Sequence, residues 1–231
     1  MSADAYKRAV GEAAAALIED GMTVGLGTGS TAAFLVEALG RRVRDAGLRL
    51  RCVATSLATD AQARGVGLTM VDLNDAGEID LTIDGADEIG PQLSLIKGGG
   101  AALLREKLVW EASRRCVAIA DAGKVVETLG KFPLPVEVVA FGHASTARRM
   151  VPALRAAGVA AEPRLRLKDG APVITDGGNV IYDLACGAIP DAEELAAALK
   201  ELTGVVEHGL FLGLTAEALV GGVDGVRSIK G

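Results

Sequence analysis

The sequence predicts an α/β protein with a mostly parallel sheet covered by helices on both faces, and a second, smaller α+β domain. Short apolar segments alternate with segments of helical period over the first 120 residues or so. Turns rich in glycine or aspartate follow several of the apolar segments. Near Lys131-Phe-Pro-Leu-Pro135 this alternation gives way to a pattern of strand, helix, hairpin and helix. Half of the 231 residues are hydrophobic but only 3% are aromatic, so we expect a core of Ala, Val, Leu and Ile.

The first part of the chain divides into alternating helices and strands. Ala9, Val10, Ala13 and Leu17 recur at helical spacing and predict an initial helix. We expect helices at residues 4–19, 32–39 and 100–113 and a short helix capped by Ser56, and strands at residues 23–26, 50–54, 68–71, 79–83 and 116–120. Strands separated by helices favour a parallel, Rossmann-like sheet buried on both faces.

Two prolines mark the expected domain boundary, because Pro133 and Pro135 oppose both a helix and a central strand. Beyond them we expect strands at residues 136–139 and 205–208, helices at 145–157 and 192–202, and a hairpin with arms 172–175 and 179–184 around Asp176-Gly-Gly. This order predicts a ferredoxin-like α+β domain with a small antiparallel sheet. Some of the segments 210–214, 218–220 and 226–229 should return to the first sheet. We expect two domains. The first, Rossmann-like domain contains residues 1–131 with 208–231, and the second contains residues 132–207.

Composition excludes several classes of function. A net charge of -6 and the scarcity of aromatic residues disfavour nucleic-acid binding, which needs a basic surface or stacking rings. No window reaches the roughly 18 apolar residues of a membrane span. The first residues are polar and charged, unlike a signal peptide. Cys52, Cys116 and Cys186 match no metal or redox spacing and are predicted to be reduced core thiols. We therefore expect a soluble, cytoplasmic protein.

Three turns that follow predicted strands carry polar groups suited to ligand binding. They are Gly25-Leu-Gly-Thr-Gly-Ser-Thr31, Asp84-Gly-Ala-Asp87 and Asp121-Ala-Gly-Lys124. In a parallel sheet the carboxyl ends of the strands share one edge, and ligands collect there. The sequence thus predicts that residues distant along the chain meet around one ligand.

The first of these turns suits a phosphate or a polyol. Its backbone N–H groups precede a predicted helix, and Thr28, Ser30 and Thr31 add hydroxyls. A dinucleotide fingerprint would need glycine at position 30, which is Ser, so a nicotinamide site is disfavoured. Neither Gly130-Lys131 nor Gly123-Lys124 continues as a P-loop would. The alternative is a tight turn in which Ser or Thr caps the helix.

The stretch from Asp84 to Glu106 contains the groups that proton transfer beside a carbonyl requires. Asp84, Asp87 and Glu106 are candidate acids or bases, and Lys97-Gly-Gly-Gly100 combines an ammonium with a pliable backbone. Each residue alone also fits a plainer interpretation. The aspartates suit a solvated turn, and both Glu106, inside Arg105-Glu-Lys107, and Lys97 fit an exposed surface. Their joint spacing favours a catalytic site.

Several ordered motifs resemble those of the type A ribose-5-phosphate isomerase family. They are Gly27-Thr-Gly-Ser-Thr-Ala32, Asp84-Gly-Ala-Asp-Glu-Ile89, Ile96-Lys-Gly-Gly-Gly-Ala-Ala102, Arg105-Glu-Lys107, Gly130-Lys-Phe-Pro-Leu-Pro-Val-Glu137 and Thr175-Asp-Gly-Gly-Asn-Val-Ile181. The resemblance spans nearly the whole chain. One departure lies in Asp121-Ala-Gly-Lys124, where Gly123 stands in place of the serine expected in the family, so a hydroxyl is lost at that turn.

The resemblance implies interconversion of ribose 5-phosphate and ribulose 5-phosphate through an enediolate, without metal or organic cofactor. It implies that Glu106 is the general base, that Lys97 stabilises the enediolate oxygens, that Asp84 assists ring opening and hydroxyl proton transfer, and that Asp87 orients the sugar. The implied substrate-binding residues are Thr28, Gly29, Ser30, Thr31, Asp84, Gly85, Ala86, Asp87, Lys97, Gly98, Gly99, Gly100 and Lys124. A homodimer or a homotetramer is also implied.

Two alternatives belong to other classes. A noncatalytic sugar-phosphate sensor should add a DNA-binding helix-turn-helix and a basic surface, whereas this chain is acidic. An aminosugar-phosphate deaminase should place a histidine in its catalytic loops, yet the first histidine is His143. A CoA transferase is a further enzyme of the wider fold group. For His143 and His208 we expect structural or surface roles.

Overall fold

The computed structural model describes residues 3–231, so residues 1 and 2 of the expected first domain lie outside the described residues. The chain forms two compact units. The first contains residues 3–86, 105–125 and 214–231, and the second contains residues 87–104 and 126–213. The expected division placed 87–104 in the first domain. It packs in the second unit because its strands pair there.

The secondary structure follows the expected alternation of helices and strands. The strands are β1 Thr23–Leu26, β2 Arg51–Ala54, β3 Leu81–Gly85, β4 Glu88–Ile89, β5 Leu95–Ile96, β6 Cys116–Asp121, β7 Leu134–Val138, β8 Pro163–Leu165, β9 Leu167–Lys168, β10 Ala171–Pro172, β11 Val180–Leu184, β12 Val205–His208, β13 Leu210–Phe211, β14 Glu217–Gly222 and β15 Gly225–Lys230. The α-helices are α1 Ala3–Ala15, α2 Ser30–Ala46, α3 Leu57–Gly65, α4 Leu73–Ala76, α5 Leu103–Glu111, α6 His143–Ala156 and α7 Ala192–Lys200. Among the described residues, no helix has both the length and the hydropathy needed to cross a membrane.

The first unit contains a six-stranded sheet in the order β15-β14-β6-β3-β1-β2. Neighbouring strands are parallel except β14 and β15, which form an antiparallel pair. The mostly parallel sheet is thus confirmed, and two C-terminal segments return to it as expected. The predicted strand at residues 68–71 forms only a single bridge, between Met70 and Cys52.

Alternating residues of the parallel strands face two different hydrophobic clusters. Val24 of β1 packs in one cluster with Leu35 of α2, whereas Val53 of β2 packs in another with Val109 of α5. Gly25 follows Val24 in β1 and is the register partner of Val53. It lies on the second face, where a Cβ would come within 2.7 Å of Val109 Cγ1. Helices therefore cover both faces of the sheet, as the continuous apolar strands predict.

The second unit is built on a four-stranded antiparallel sheet in the order β12-β7-β11-β8. With α6 after β7 and α7 after β11, the chain order is βαββαβ, which is the ferredoxin-like arrangement. Met150 of α6 and Leu195 of α7 pack with Val136 and Val180 of the sheet in one hydrophobic cluster. The unit also contains a three-stranded sheet, β13-β5-β4, and the two-stranded pair β10-β9.

Pro135 lies in β7, a central strand of the four-stranded sheet. The expectation that a proline here excludes a central strand was therefore wrong. The pairing of β12 with β7 covers only Val136 to Val138, so Pro135 lies just beyond its end. The carbonyl of Pro135 instead accepts a hydrogen bond from Gly209 N at 2.8 Å. A proline fits here because no ladder bond to β12 is required of its nitrogen.

Glu217 contributes to stability at the start of β14, where it is 7% exposed. Its carboxylate accepts hydrogen bonds from Ser228 Oγ and Arg115 Nη2. The hydrogen bond from Ser228 and then the contact with Arg115 lower the pKa of Glu217 from its ordinary value of 4.5. The pKa of Glu217 is thus lower in the folded state than in the unfolded state. Its contribution to stability is complete above the unfolded-state pKa and is lost as pH falls through the folded-state pKa.

We expect Glu217→Gln to lower the free energy of unfolding at neutral pH by about 1–3 kcal/mol. The difference from the parent protein should shrink as pH falls through the lowered pKa of Glu217. Urea unfolding at a series of pH values measures both effects, with the exposed Glu162→Gln as control. A difference that stays constant down to acidic pH would show that the charge of Glu217 is not responsible.

Candidate active site

The glycine-rich turn after β1 presents backbone N–H groups at the start of α2. Thr28 N donates to Asp84 Oδ1 at 2.9 Å, which ties the turn to the end of β3. A Cβ at Gly27 would lie 2.1 Å from the same oxygen, so only glycine fits there. Gly29 is the N-cap of α2, with φ of 105°, and no side chain caps the helix. The first-turn N–H groups at this end therefore suit an anion.

The hydroxyl of Thr28 belongs to a cluster of hydroxyls beside the end of β2. Thr28 Oγ1 lies 2.7 Å from Thr55 Oγ1 and 2.8 Å from Ser56 Oγ. Ser56 caps α3, as predicted, by accepting from Thr59 N at 3.1 Å. The Thr28 side chain thus helps to fix the turn. The hydroxyl-bearing residues that are more open to solvent are Ser30, which is exposed, and Thr31, which is half-buried.

Asp84 is completely buried near the carboxyl end of β3. Its Oδ1 accepts hydrogen bonds from Thr28 N, at 2.9 Å, and from Gly85 N, at 2.6 Å. Burial of a carboxylate is costly unless hydrogen bonds compensate it, and backbone donors provide that here. The solvated-turn interpretation of Asp84 is therefore wrong. The neighbouring site residues Gly85 and Ala86 are half-buried.

Glu106 lies in the first turn of α5 and is 3% exposed. Its neighbour Lys107 is 7% exposed, while Leu108 is exposed. The charged segment Arg105-Glu-Lys107 therefore does not form the exposed surface that a helical charge run usually forms. The surface interpretation of Glu106 is therefore wrong.

Lys124 ends the turn that follows β6. Asp121 Oδ1 accepts from Gly123 N at 3.0 Å and caps a short 3-10 helix that includes Lys124. Lys124 is half-buried. Because β6, β3 and β1 are adjacent and parallel, this turn, Asp84 and the glycine-rich turn share one edge of the sheet, as predicted.

The glycine loop after β5 lies in the second unit. Gly99 N donates to Asp87 Oδ2 at 2.7 Å, and a Cβ at Gly99 would lie 2.7 Å from Asp87 Oδ1. Gly98 has a φ of 103°, and its carbonyl accepts from Ala101 N at 3.0 Å. Gly100 is exposed. Glycines are needed here both for close approach to Asp87 and for a positive φ.

Lys97 precedes these glycines and is 1% exposed, which is unusual for a lysine. Its backbone N–H donates to Gly209 O at 2.9 Å. A Cβ at Gly209 would lie 2.2 Å from Lys97 O, so glycine is required for this approach. The Lys97 ammonium lies 5.3 Å from the ring centroid of Phe211, within the range of a cation–π interaction. The surface interpretation of Lys97 is therefore wrong.

Both histidines also lie in the second unit. His143 Nδ1 is 2.7 Å from the hydroxyl oxygen of Tyr182. His208 is buried at the end of β12. Within residues 3–231, no group of three His, Cys, Asp or Glu side chains is arranged to hold a metal ion.

Sequence reasoning missed Arg166, which contacts the glycine loop, and Asp183, which pairs with Arg166. Arg166 Nη1 donates to Gly98 O at 2.8 Å and to Gly99 O at 3.1 Å. Its guanidinium also pairs with the carboxylate of Asp183. The available sequence signal for Arg166 was a charged residue between Leu165 and Leu167. Its hydrogen-bond partners, however, come from other parts of the chain.

The predicted site residues divide between the two units. The first unit holds Thr28, Gly29, Ser30, Thr31, Asp84, Gly85, Ala86, Glu106 and Lys124, and the second holds Asp87, Lys97, Gly98, Gly99 and Gly100. The fold and these residues define a class: an α/β protein with a turn suited to an anion at the carboxyl edge of a parallel sheet and with buried groups suited to acid–base chemistry.

Comparison with known proteins identifies the family. The family model described as ribose 5-phosphate isomerase A (phosphoriboisomerase A) matches residues 51–225. The chain is 62% identical to ribose-5-phosphate isomerase A of Caulobacter sp. (strain K31), over 98% of each chain. It therefore belongs to the ribose 5-phosphate isomerase A family.

Solved structures of relatives share the whole fold. Ribose 5-phosphate isomerase A from Methanocaldococcus jannaschii is 39% identical, with a TM-score of 0.90 over 100% of each chain. A D-ribose-5-phosphate isomerase in complex with phospho-erythronic acid is 32% identical, with a TM-score of 0.92 over 100% of each chain. Both units of the present chain thus belong to the family fold.

Proposed function

We propose that this protein interconverts D-ribose 5-phosphate and D-ribulose 5-phosphate, an aldose-ketose isomerisation of the non-oxidative pentose phosphate pathway. The observation that carries the proposal is the 62% identity over 98% of both chains with a protein named ribose-5-phosphate isomerase A. Phospho-erythronic acid, bound in one solved relative, supports the substrate class. It combines a phosphate and hydroxyls with a planar carboxylate, which resembles an enediolate in shape and charge.

Glu106 is the proposed general base. It removes the proton from C2 of the open-chain aldose, which leaves an enediolate, and returns a proton to C1 to give the ketose. A proton moves from O2 to O1 in the same conversion, so atoms balance and no external oxidant or reductant is consumed. The near-complete burial of Glu106 supports its role as the base, because a carboxylate held out of water is positioned and weakly solvated.

Lys97 is the proposed electrostatic partner of the enediolate oxygens. A buried ammonium interacts more strongly with developing negative charge than an exposed one, because water screens it less. The hydrogen bond from the Lys97 backbone N–H to Gly209 and the contact of the Lys97 ammonium with the Phe211 ring restrain this residue before the charge develops. Little reorganisation is then needed in the transition state.

The two aspartates have proposed roles with the hydroxyl groups. Asp84 assists ring opening and moves protons between O1 and O2, and Asp87 orients the sugar. The role of Asp84 is supported by its buried position at the sheet edge and by its hydrogen bond with the glycine-rich turn. Asp87 is supported by its hydrogen bond to Gly99, which places it at the glycine loop.

The phosphate and the sugar hydroxyls are proposed to bind the turn at residues 28–31, the loop at 97–100 and Lys124. Uncapped N–H groups at the start of α2 favour an anion, and Lys124 adds a positive charge at the same sheet edge. Gly85 and Ala86 extend the binding surface from Asp84.

The setting of the reaction is also part of the proposal. Proton transfer of this kind can proceed on carboxylate and ammonium groups, so we propose that no metal or organic cofactor is used. A cytoplasmic location is proposed because it is consistent with membership of this enzyme family. A homodimer or a homotetramer is proposed from family membership.

The direct test is an assay of purified protein, treated with a chelator, on ribose 5-phosphate. We expect ribulose 5-phosphate to form, and in D₂O we expect deuterium to enter the substrate at C2 and the product at C1, as an enediolate requires. Nuclear magnetic resonance follows both readouts. Unphosphorylated ribose is the control substrate and should turn over far more slowly, because binding energy from the phosphate is lost. Absence of ketose formation would refute the proposed activity.

A further inference from the structure

The glycine loop is fixed by a residue outside the motifs that define the family resemblance. We propose that Arg166, oriented by Asp183, is a positioning residue that holds residues 97–100 in their catalytic conformation. This inference rests on the proposed isomerase function. Arg166 acts through the backbone of the loop.

The guanidinium of Arg166 joins two partners at once. Nε donates to Asp183 Oδ2 at 2.8 Å, and Nη2 donates to Asp183 Oδ1. Nη1 donates to Gly98 O at 2.8 Å and to Gly99 O at 3.1 Å. A planar guanidinium can form this fork, with a carboxylate on one side and two carbonyls on the other, whereas an ammonium cannot.

Asp183 anchors the arrangement to a rigid element. It lies in β11, a central strand of the four-stranded sheet, and it is opposite Arg164 of β8. The side chains of Arg166 and Asp183 are only 15% and 27% exposed, so their pairing is less screened than that of a surface ion pair. Arg166 N also donates to Ile181 O at 2.8 Å.

The loop is therefore held through its carbonyls as well as its N–H groups. Gly99 N donates to Asp87, and Lys97 N donates to Gly209 O. Glycine has more backbone freedom than any other residue, so a run of three would sample many conformations without such restraints. Arg166 removes this freedom at Gly98 and Gly99. Because Lys97 directly precedes them, the proposal links Arg166 to the position of the ammonium.

The test compares Arg166→Ala, Arg166→Lys and Asp183→Asn with the parent protein. We expect Arg166→Ala to lower kcat/KM by about 10- to 100-fold, since a small misplacement of catalytic groups can cost that much. Added guanidinium at millimolar concentration should restore part of the activity, and methylammonium should not. Arg166→Lys should recover little. Arg164→Ala, an exposed change in the neighbouring strand, is the control and should retain full activity.

A second readout is independent of activity. Amide hydrogen exchange of residues 97–101 should become faster in Arg166→Ala and stay unchanged in Arg164→Ala, even if the parent protein proves inactive on ribose 5-phosphate. The proposed function and the positioning role are thus tested separately. If Arg166→Ala fails to fold, Asp183→Asn and Arg166→Lys provide the same comparison. Parent-like kcat/KM together with parent-like exchange in the folded variants would overturn the proposal.

Discussion

Glu106→Gln should lower kcat by about 10²–10⁴-fold, the range that a positioned acid–base group typically contributes. The amide has almost the same shape as the carboxylate, so packing around this buried position should be retained. It cannot accept the proton from C2. Substrate affinity should change only a few-fold, because the base acts mainly in the transition state.

Three measurements separate a loss of chemistry from a loss of structure. Steady-state kinetics give kcat, calorimetry with ribose 5-phosphate gives the affinity, and exchange of the substrate C2 proton in D₂O reports proton removal itself. Glu111→Gln is the matched control, since Glu111 lies on the same helix but is exposed. If Glu106→Gln exchanged the C2 proton at the parent rate, another residue would have to be the base.

Lys97→Met should lower kcat/KM by about 10²–10³-fold, similar to the loss of one donor from an oxyanion site. Methionine keeps much of the length and the apolar contact with Phe211 but removes the charge. Both kcat and KM should change. The ammonium contributes to binding an anionic substrate, which raises KM when it is lost, and it stabilises the enediolate more than the ground state, which lowers kcat.

Lys168→Met is the matched control for this substitution. Lys168 belongs to the same unit but is exposed on β9, so its removal should leave both constants within about twofold, as expected of a surface change. The thermal unfolding midpoint of each variant shows whether a kinetic loss reflects structure. Unchanged kcat and KM in a folded Lys97→Met protein would exclude contact between this ammonium and the reacting oxygens.

The parallel sheet could be predicted because its strands are local features of the chain. β1 and β6 are short apolar runs that end in turn-forming residues, as expected of strands buried on both faces of a parallel sheet. Residues 68–71 are equally apolar but form a single bridge, since strand formation depends on a partner along the whole segment. Pro135 shows the same dependence. Whether a proline is tolerated depends on which neighbouring strand extends past it.

The assignment of residues 87–104 also depended on distant partners. β4 pairs with β5, and β5 pairs with β13, which lies more than 100 residues later in the chain, so their place could not be predicted from local pattern. Arg166 is similar. Its role follows from contacts with Gly98, Gly99 and Asp183, which local spacing does not reveal.

The candidate chemical groups could be identified from the amino-acid sequence alone: an anion-suited turn at residues 28–31, the acids Asp84, Asp87 and Glu106, and Lys97 with its glycines. These groups can be recognised locally because each motif is a short continuous stretch of the chain. The burial of Asp84, Lys97 and Glu106, and the hydrogen bonds from Arg166 to the glycine loop, are visible only in the folded chain. Burial and long-range hydrogen bonds arise when distant segments pack together, and that packing depends on the whole chain.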